Sequence, residues 1–216
     1  PGEVLPQNIG TMKWDGKIPF KHTEKLSIKR SDDFDEDCLA PQWQWNYQPR
    51  KDYFSLTERP GWLRLKAYRP LETNNLLKAG NTLTQRTFRK QNNDVTIKMD
   101  ISNMQDGQKN GLCHFSSQHS AIGIVKEEDA CYLEYRKNGN ITKGIQIHSE
   151  FVWFRTEWGM DGKSQYYYSL DGDNFLPFGE KYQLTWGNYR GDRIGIYCFN
   201  DKKETGSVDV DYCHYR

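Results

Sequence analysis

The chain has 216 residues, of which 36% are hydrophobic and 14% aromatic, and its 30 Lys and Arg nearly balance 29 Asp and Glu. That length fits one large all-β domain better than two small ones, with enough apolar surface to fold without covalent cross-links. The scattered, balanced charges exclude an electrostatic footprint for nucleic acid or an anionic membrane, no apolar run approaches the ~18 residues of a membrane-inserted helix, and a neutral ligand suits such a surface.

Residues 1–29 carry Gly2, Pro6, Gly10, Gly16 and Pro19 among polar residues without a sustained period, the composition of a connector. Opening at Pro1 with neither Met nor leader, the chain reads as a cut piece, with a linker remnant over 1–29 and the domain proper over 30–216. From there almost every signal is strand. Segments 62–68 and 95–101 alternate apolar with polar residues, the pattern of a sheet with one buried face. Further strand-like runs at 112–115, 131–135, 151–154, 165–170, 193–199 and 208–215 are punctuated by Asn138-Gly139, Asp161-Gly162 and Asp171-Gly172, which favour tight turns. Many short strands with almost no helix signal predict an all-β fold, a two-sheet antiparallel β-sandwich of jelly-roll or lectin-like type. The segment 166–175 shares Ser-Leu-Asp-Gly with the Asp-box turns of sialidases but lacks their later Gly and Trp, and reads as a plain hairpin. Cys38, Cys113, Cys131, Cys198 and Cys213 are odd in number and never in a CxxC pair, so they read as small buried apolar residues, with one Cys38–Cys213 bridge left open.

Asp32, Asp33, Asp35, Glu36 and Asp37 concentrate hard oxygen ligands. The run from Asp33 opens like an EF-hand loop, but Cys38 and Gln44 stand where the turn glycine and the closing carboxylate belong. The first and last strands of jelly rolls commonly lie side by side, which would bring Asp33 and Asp35 near Asp209 and Asp211, where a structural Ca²⁺ would neutralise the crowding and clasp the chain ends. A solvated acidic turn, with Asp side chains facing water or Arg, is the alternative. Asp209 and Asp211 also have the same-face spacing of a glycosidase carboxylate pair, but Cys213 follows where a third carboxylate would stand, and independent catalysis is the least favoured reading. The five histidines never fall at metal-ligand spacing, and neither a nucleophile elbow nor a phosphate-cradling loop occurs.

A pyranose stacks its apolar face on a flat ring while amides, carboxylates or guanidinium groups bond its hydroxyls. The candidate rings are Trp45, Tyr47, Trp153, Trp158, Trp186 and Tyr189, with core packing as the competing role for every Trp. Trp43 and Trp45 would share one face of a strand. Arg59 and Arg86 are hydroxyl donors or carboxylate partners, and Gln118 with His119, in the polar break after Phe115, form a third group.

After the aspartate-rich start come Gln44-Trp45-Asn46, Leu56-Thr57-Glu58-Arg59-Pro60-Gly61 and Asn81-Thr82-Leu83-Thr84-Gln85-Arg86. Then follow Tyr168-Ser169-Leu170-Asp171-Gly172, Thr185-Trp186-Gly187 with Tyr189-Arg190-Gly191-Asp192-Arg193-Ile194-Gly195, and Val208-Asp209-Val210-Asp211-Tyr212. In that order they resemble the C-terminal β-sandwich of family 43 glycoside hydrolases, the β-xylosidases and α-L-arabinofuranosidases, from residue 31 to the end. The resemblance implies a concanavalin A-like jelly roll that is not itself catalytic. It also implies a covalently linked catalytic propeller in the parent protein and an extracellular or periplasmic location. As a carbohydrate-binding module the domain would take xylan or arabinoxylan. The rival expectations are an accessory domain that shapes the propeller's active site without binding sugar alone, and a free-standing glycan hydrolase.

Overall fold

The computed structural model describes residues 29–88, 90–185 and 191–216, together with Gly16. In chain order the strands are β1 (Gln44–Trp45), β2 (Phe54–Ser55), β3 (Leu63–Lys66), β4 (Thr82–Arg86), β5 (Asn93–Asp100), β6 (Gln108–Phe115), β7 (His119–Glu127), β8 (Ala130–Lys137), β9 (Asn140–Ile147), β10 (Phe151–Trp158), β11 (Lys163–Ser169), β12 (Leu176–Pro177), β13 (Tyr182–Gln183), β14 (Arg193–Asn200) and β15 (Ser207–Tyr215). They build a seven-stranded sheet, β1-β4-β14-β6-β7-β8-β9, and an eight-stranded sheet, β12-β11-β10-β5-β15-β3-β2 with β13 beside β11. The last two long strands return to the interior of the sheets, β14 between β4 and β6 and β15 between β5 and β3, so the chain crosses from sheet to sheet as a jelly roll does.

The alternation seen in sequence sets which side chains meet between the sheets. Leu63 and Leu65, Val95, Ile97 and Met99, Val152 and Phe154, and Val208 and Val210 point inward from one sheet, and Ile122, Ile124, Ile194 and Ile196 from the other. A second, smaller core lies on the outer side of the seven-stranded sheet, where Tyr197, Phe199, Cys113, Phe115 and Ala121 pack under Leu76 and Ala79. The short 3₁₀ turn Leu76–Lys78, capped by the Asn75 side chain at the Leu77 N–H, supplies that cover. Strand β14 is therefore buried along its whole length.

Eight strands fall on the expected runs, with ends displaced by up to four residues. Strands β4, β7 and β9 do not appear among those runs. β7 is buried on both faces and so shows little alternation, whereas β9 is an edge strand exposed at most positions, and neither gives the half-buried signature. The segment around Asp32 meets the last strand as a backbone bridge, with the Asp32 N–H donating to the Cys213 carbonyl (2.9 Å) and the Cys213 N–H to that of Asp32 (2.7 Å). A Cys38–Cys213 disulfide is excluded, since Cys38 is exposed, Cys213 is buried and all five cysteines are free thiols. Cys113 and Cys198 are buried as expected, and burial pushes the Cys198 thiol up to about 12, so it packs as a neutral apolar group. Cys131 is only half-buried.

Candidate functional site

The outer face of the eight-stranded sheet carries a dense constellation of rings and cations. Pairing register lines up its outward side chains in rows across the strands. One row runs Phe151, Asp100, Asp209, Arg64; the next runs Ser169, Trp153, Lys98, Tyr212; the third runs Tyr167, Arg155, Thr96, His214. A bulge between Val210 and Tyr212 inserts Asp211 into β15 and keeps Tyr212 opposite Lys98.

Lys98 sits at the centre. Its ammonium lies 5.1 Å from the Trp62 ring centroid, 5.3 Å from Phe151 and 5.8 Å from Trp153, and it donates to Asp211 at 2.7 Å. To one side Tyr212 and His214 stack at 4.0 Å and 13°. To the other, Arg155 lies 3.7 Å over Phe175 and donates to Thr96. Trp62, Phe151, Trp153, Tyr167, Phe175 and Tyr212 are all partly exposed, so the band offers ring faces and polar forks to solvent together.

Two loops hold the band in place. Asp171 accepts from the Ser169 hydroxyl, from the Asp173 and Asn174 N–H groups and from the Asn174 amide at 2.8–2.9 Å, and these bonds hold its carboxyl below the usual range. The turn so closed sets Gly172, at φ +85°, against Trp153, where a Cβ would stand 3.1 Å from the indole. What reads as a plain hairpin is therefore a buttress for the platform's central Trp. On the opposite flank Arg59 lies 3.8 Å over Trp62 and bridges Asp100 (2.6 Å) and Asp209 (2.9 Å), while Arg64 grips Asp209 bidentately at 2.7 and 2.8 Å. Although desolvation lowers it, bonding to the two carboxylates leaves the Arg59 guanidinium above its ordinary pKa.

The four carboxylates expected to share a cation do not converge. Asp209 is buried under Arg59 and Arg64, Asp211 pairs with Lys98, Asp33 pairs with His214 at 2.7 Å, and Asp35 is exposed. Asp33 flanks the bridge to Cys213, four residues or ~13 Å along β15 from Asp209. Arg59, Arg64 and Lys98 already balance Asp209 and Asp211, and among the described residues no group of three His, Cys, Asp or Glu is placed to hold a metal. The residues do not fit the clasp. Asp32 leaves the acidic cluster altogether: it is buried and accepts from the Trp43 indole at 2.7 Å and the Phe34 N–H at 3.1 Å.

The expected rings separate. Trp153 lies at the heart of the band. Trp158 is a correction: it is buried, its indole donates to the Phe88 carbonyl at 2.8 Å, and its ring packs on His114 and Tyr215. Trp45 packs on Phe54 at 4.7 Å and closes the sandwich edge, in the other sheet from Trp153, while Tyr47 beside it is exposed. Trp186 and Tyr189 lie outside the described residues. Arg59 takes the carboxylate-partner role rather than that of a free hydroxyl donor.

A Thr156–His114–Asp192 relay, with contacts of 3.0 and 3.1 Å, has the connectivity of a hydrolase triad. His114 and Thr156 are fully buried among Trp158, Tyr166 and Tyr182, so the relay braces the core.

A family model described as the β-xylosidase C-terminal concanavalin A-like domain matches residues 31–216. A β-xylosidase of Formosa agariphila is 35% identical over 219 residues, which cover 92% of this chain and 37% of that protein. Among solved structures, a bifunctional GH43-CE protein of Bacteroides eggerthii matches with a TM-score of 0.78 and 29% identity over 86% of this chain and 25% of that one. A GH43 protein of Bacillus licheniformis, at 23% identity, shares the fold with a TM-score of 0.76 over 90% of this chain and 40% of its own.

Proposed function

The chain belongs to the family of β-xylosidase C-terminal concanavalin A-like domains, and from that premise we propose that it is the non-catalytic carbohydrate-binding module of a family 43 glycoside hydrolase, taking xylan or arabinoxylan chains. The observation that carries the reading is the band of half-exposed rings on the outer face of the eight-stranded sheet, centred on Trp153 and Lys98. Ring faces stack on sugar C–H groups, and Arg155, Lys98 and His214 stand beside them as hydroxyl partners. Because the ligand is neutral, affinity depends little on salt. A polymer of this size is met outside the cytoplasm, so on this reading the domain belongs to an extracellular or periplasmic protein, joined through residues 1–29 to a catalytic domain.

Affinity electrophoresis in xylan and arabinoxylan gels tests the proposal. The domain is retarded, and Trp153→Ala strongly reduces the retardation without unfolding the protein. Free migration of the unmodified domain in every plant polysaccharide would sink it.

A second use of the same face has its own support. The chain spans 37% of the curated β-xylosidase it matches, and a half-apolar, cation-rich band also suits burial against another domain of a longer protein. In that role the domain braces and shapes a catalytic partner and binds no sugar alone. Hydrolysis by Asp209 and Asp211 is disfavoured, because each is neutralised by an Arg or Lys rather than poised at a cleft.

A further inference from the structure

Away from the platform, on the outer side of the seven-stranded sheet, a cavity of about 470 Å³ opens between the start of β7, the β8–β9 turn and the loop that carries Leu76–Lys78. Its wall is rich in carboxamides, Asn74, Gln118 and Asn138 among them, with Leu77 as an apolar patch. His119 lines it while only 7% exposed.

Among the described residues the hydrogen bonds of His119 run through its backbone alone: its N–H donates to the Asn138 Oδ1 at 3.0 Å, and its carbonyl accepts from the Asn138 N–H at 3.0 Å. The imidazole is held in place but left unused, with Nδ1 buried and without a partner. Arg136 lies opposite Ala121, diagonal to His119 on the same face, and its Nη2 is also buried and unpartnered although Nε bonds Glu134 and Nη1 bonds the Asn74 Oδ1. Buried polar atoms are almost always satisfied, so an unpartnered imidazole in the cavity wall, with a second exception on the neighbouring strand, calls for an outside partner.

The electrostatics select its class. The Arg136 charge is matched by Glu134, and burial, reinforced by Arg136, lowers the His119 pKa to about 4, leaving the ring neutral at ordinary pH. An anion would find no spare cation here. A hydroxyl, donor and acceptor at once, suits a neutral imidazole in either tautomer and a ring of carboxamides. The volume lies within the range of small-ligand sites.

We propose that this cavity is a second carbohydrate site, a pocket that takes a single neutral sugar ring, such as a chain end or a side branch, with Gln118, Asn74 and His119 as its hydroxyl partners. The proposal rests on the reading of the domain as sugar-binding but not on the platform. Its test is NMR of the intact chain titrated with L-arabinose, D-xylose and D-glucuronate, following the His119 ring nitrogens, the Gln118 side-chain amide and the Trp153 indole N–H. A neutral sugar shifts His119 and Gln118 saturably, and Gln118→Ala weakens that binding about fivefold while Trp153→Ala leaves it intact. Shifts at Trp153 alone overturn the pocket and keep the platform; shifts at His119 and Gln118 alone do the reverse. Response to glucuronate only, or silence at His119 and Gln118 with all three sugars, overturns the pocket.

Discussion

Trp153 and Trp158 stand five residues apart on β10, an odd spacing that puts their rings on opposite faces of the sheet, one on the platform and one in the core. That parity is readable in sequence; which face meets solvent is not, because it depends on how β10 is placed against the second sheet. The same applies to Phe151 and Arg155, which share the phase of Trp153 yet carry no mark as isolated letters. Asp209 misleads for a different reason: its partners, Arg59 and Arg64, are 150 and 145 residues away in the chain. Asp209→Ala takes the bidentate partner from Arg64 and one of two carboxylates from Arg59, leaving them Glu58 and Asp100, so the midpoint of urea unfolding should fall by the equivalent of about 2 kcal/mol, below the range for a fully uncompensated buried charge. The His119 ring brings a pH dependence. Its pKa falls from 6.5 to about 4 on folding, so the unfolded chain binds the extra proton between those values. Its contribution is therefore fully present above pH 6.5 and declines as pH falls through that window, by up to about 3 kcal/mol. His119→Gln should flatten the slope of urea midpoint against pH over the same range.

Strands with one wet face are legible as strands, and so is β14, dry on both faces but rich in Ile, Tyr and Phe, whereas β7, dry and diluted by Ser120, Ala121 and Gly123, and β9, wet along most of its length, are not. Between β6 and β7 the pair Gly111 and Gly123 faces the second core at a contact that no side chain fits: a Cβ on Gly123 would lie 1.9 Å from the Asn110 carbonyl oxygen and 2.4 Å from the Tyr197 hydroxyl. Gly123→Ala must force the paired strands β6 and β7 apart and should cost about 3 kcal/mol or more, visible as a collapse of the thermal transition. The turn after β11 responds more gently. Gly172→Ala, at positive φ and against Trp153, should destabilise by about 1 kcal/mol and displace the indole, so that xylan retardation weakens more than stability does. A variant that still migrates with unchanged retardation would separate this turn from the platform.

At the scale of the molecule, the two-sheet architecture is legible because its evidence is repeated in most of the long strands, whereas a binding surface is made once, from side chains that register brings together. The segments 56–61 and 208–212 resemble the family as short strings; in the folded domain Arg59 from one grips Asp209 from the other. The acidic start does pair with the last strand, and the link is made by main-chain groups. Asp32 and Cys213 exchange both hydrogen bonds, Ser31 and Tyr215 exchange two more between side chain and backbone, and Arg30 lies over Tyr215. The segment at residue 30 and the last strand therefore meet at one point on the domain. Tension applied between them opens this bridge like a zipper, one bond pair after another, rather than shearing the sheet. In an optical-trap experiment with handles at residue 30 and residue 216, the clasp should yield first at low force while the Trp153 platform remains folded, making the junction a mechanical fuse for any chain joined there.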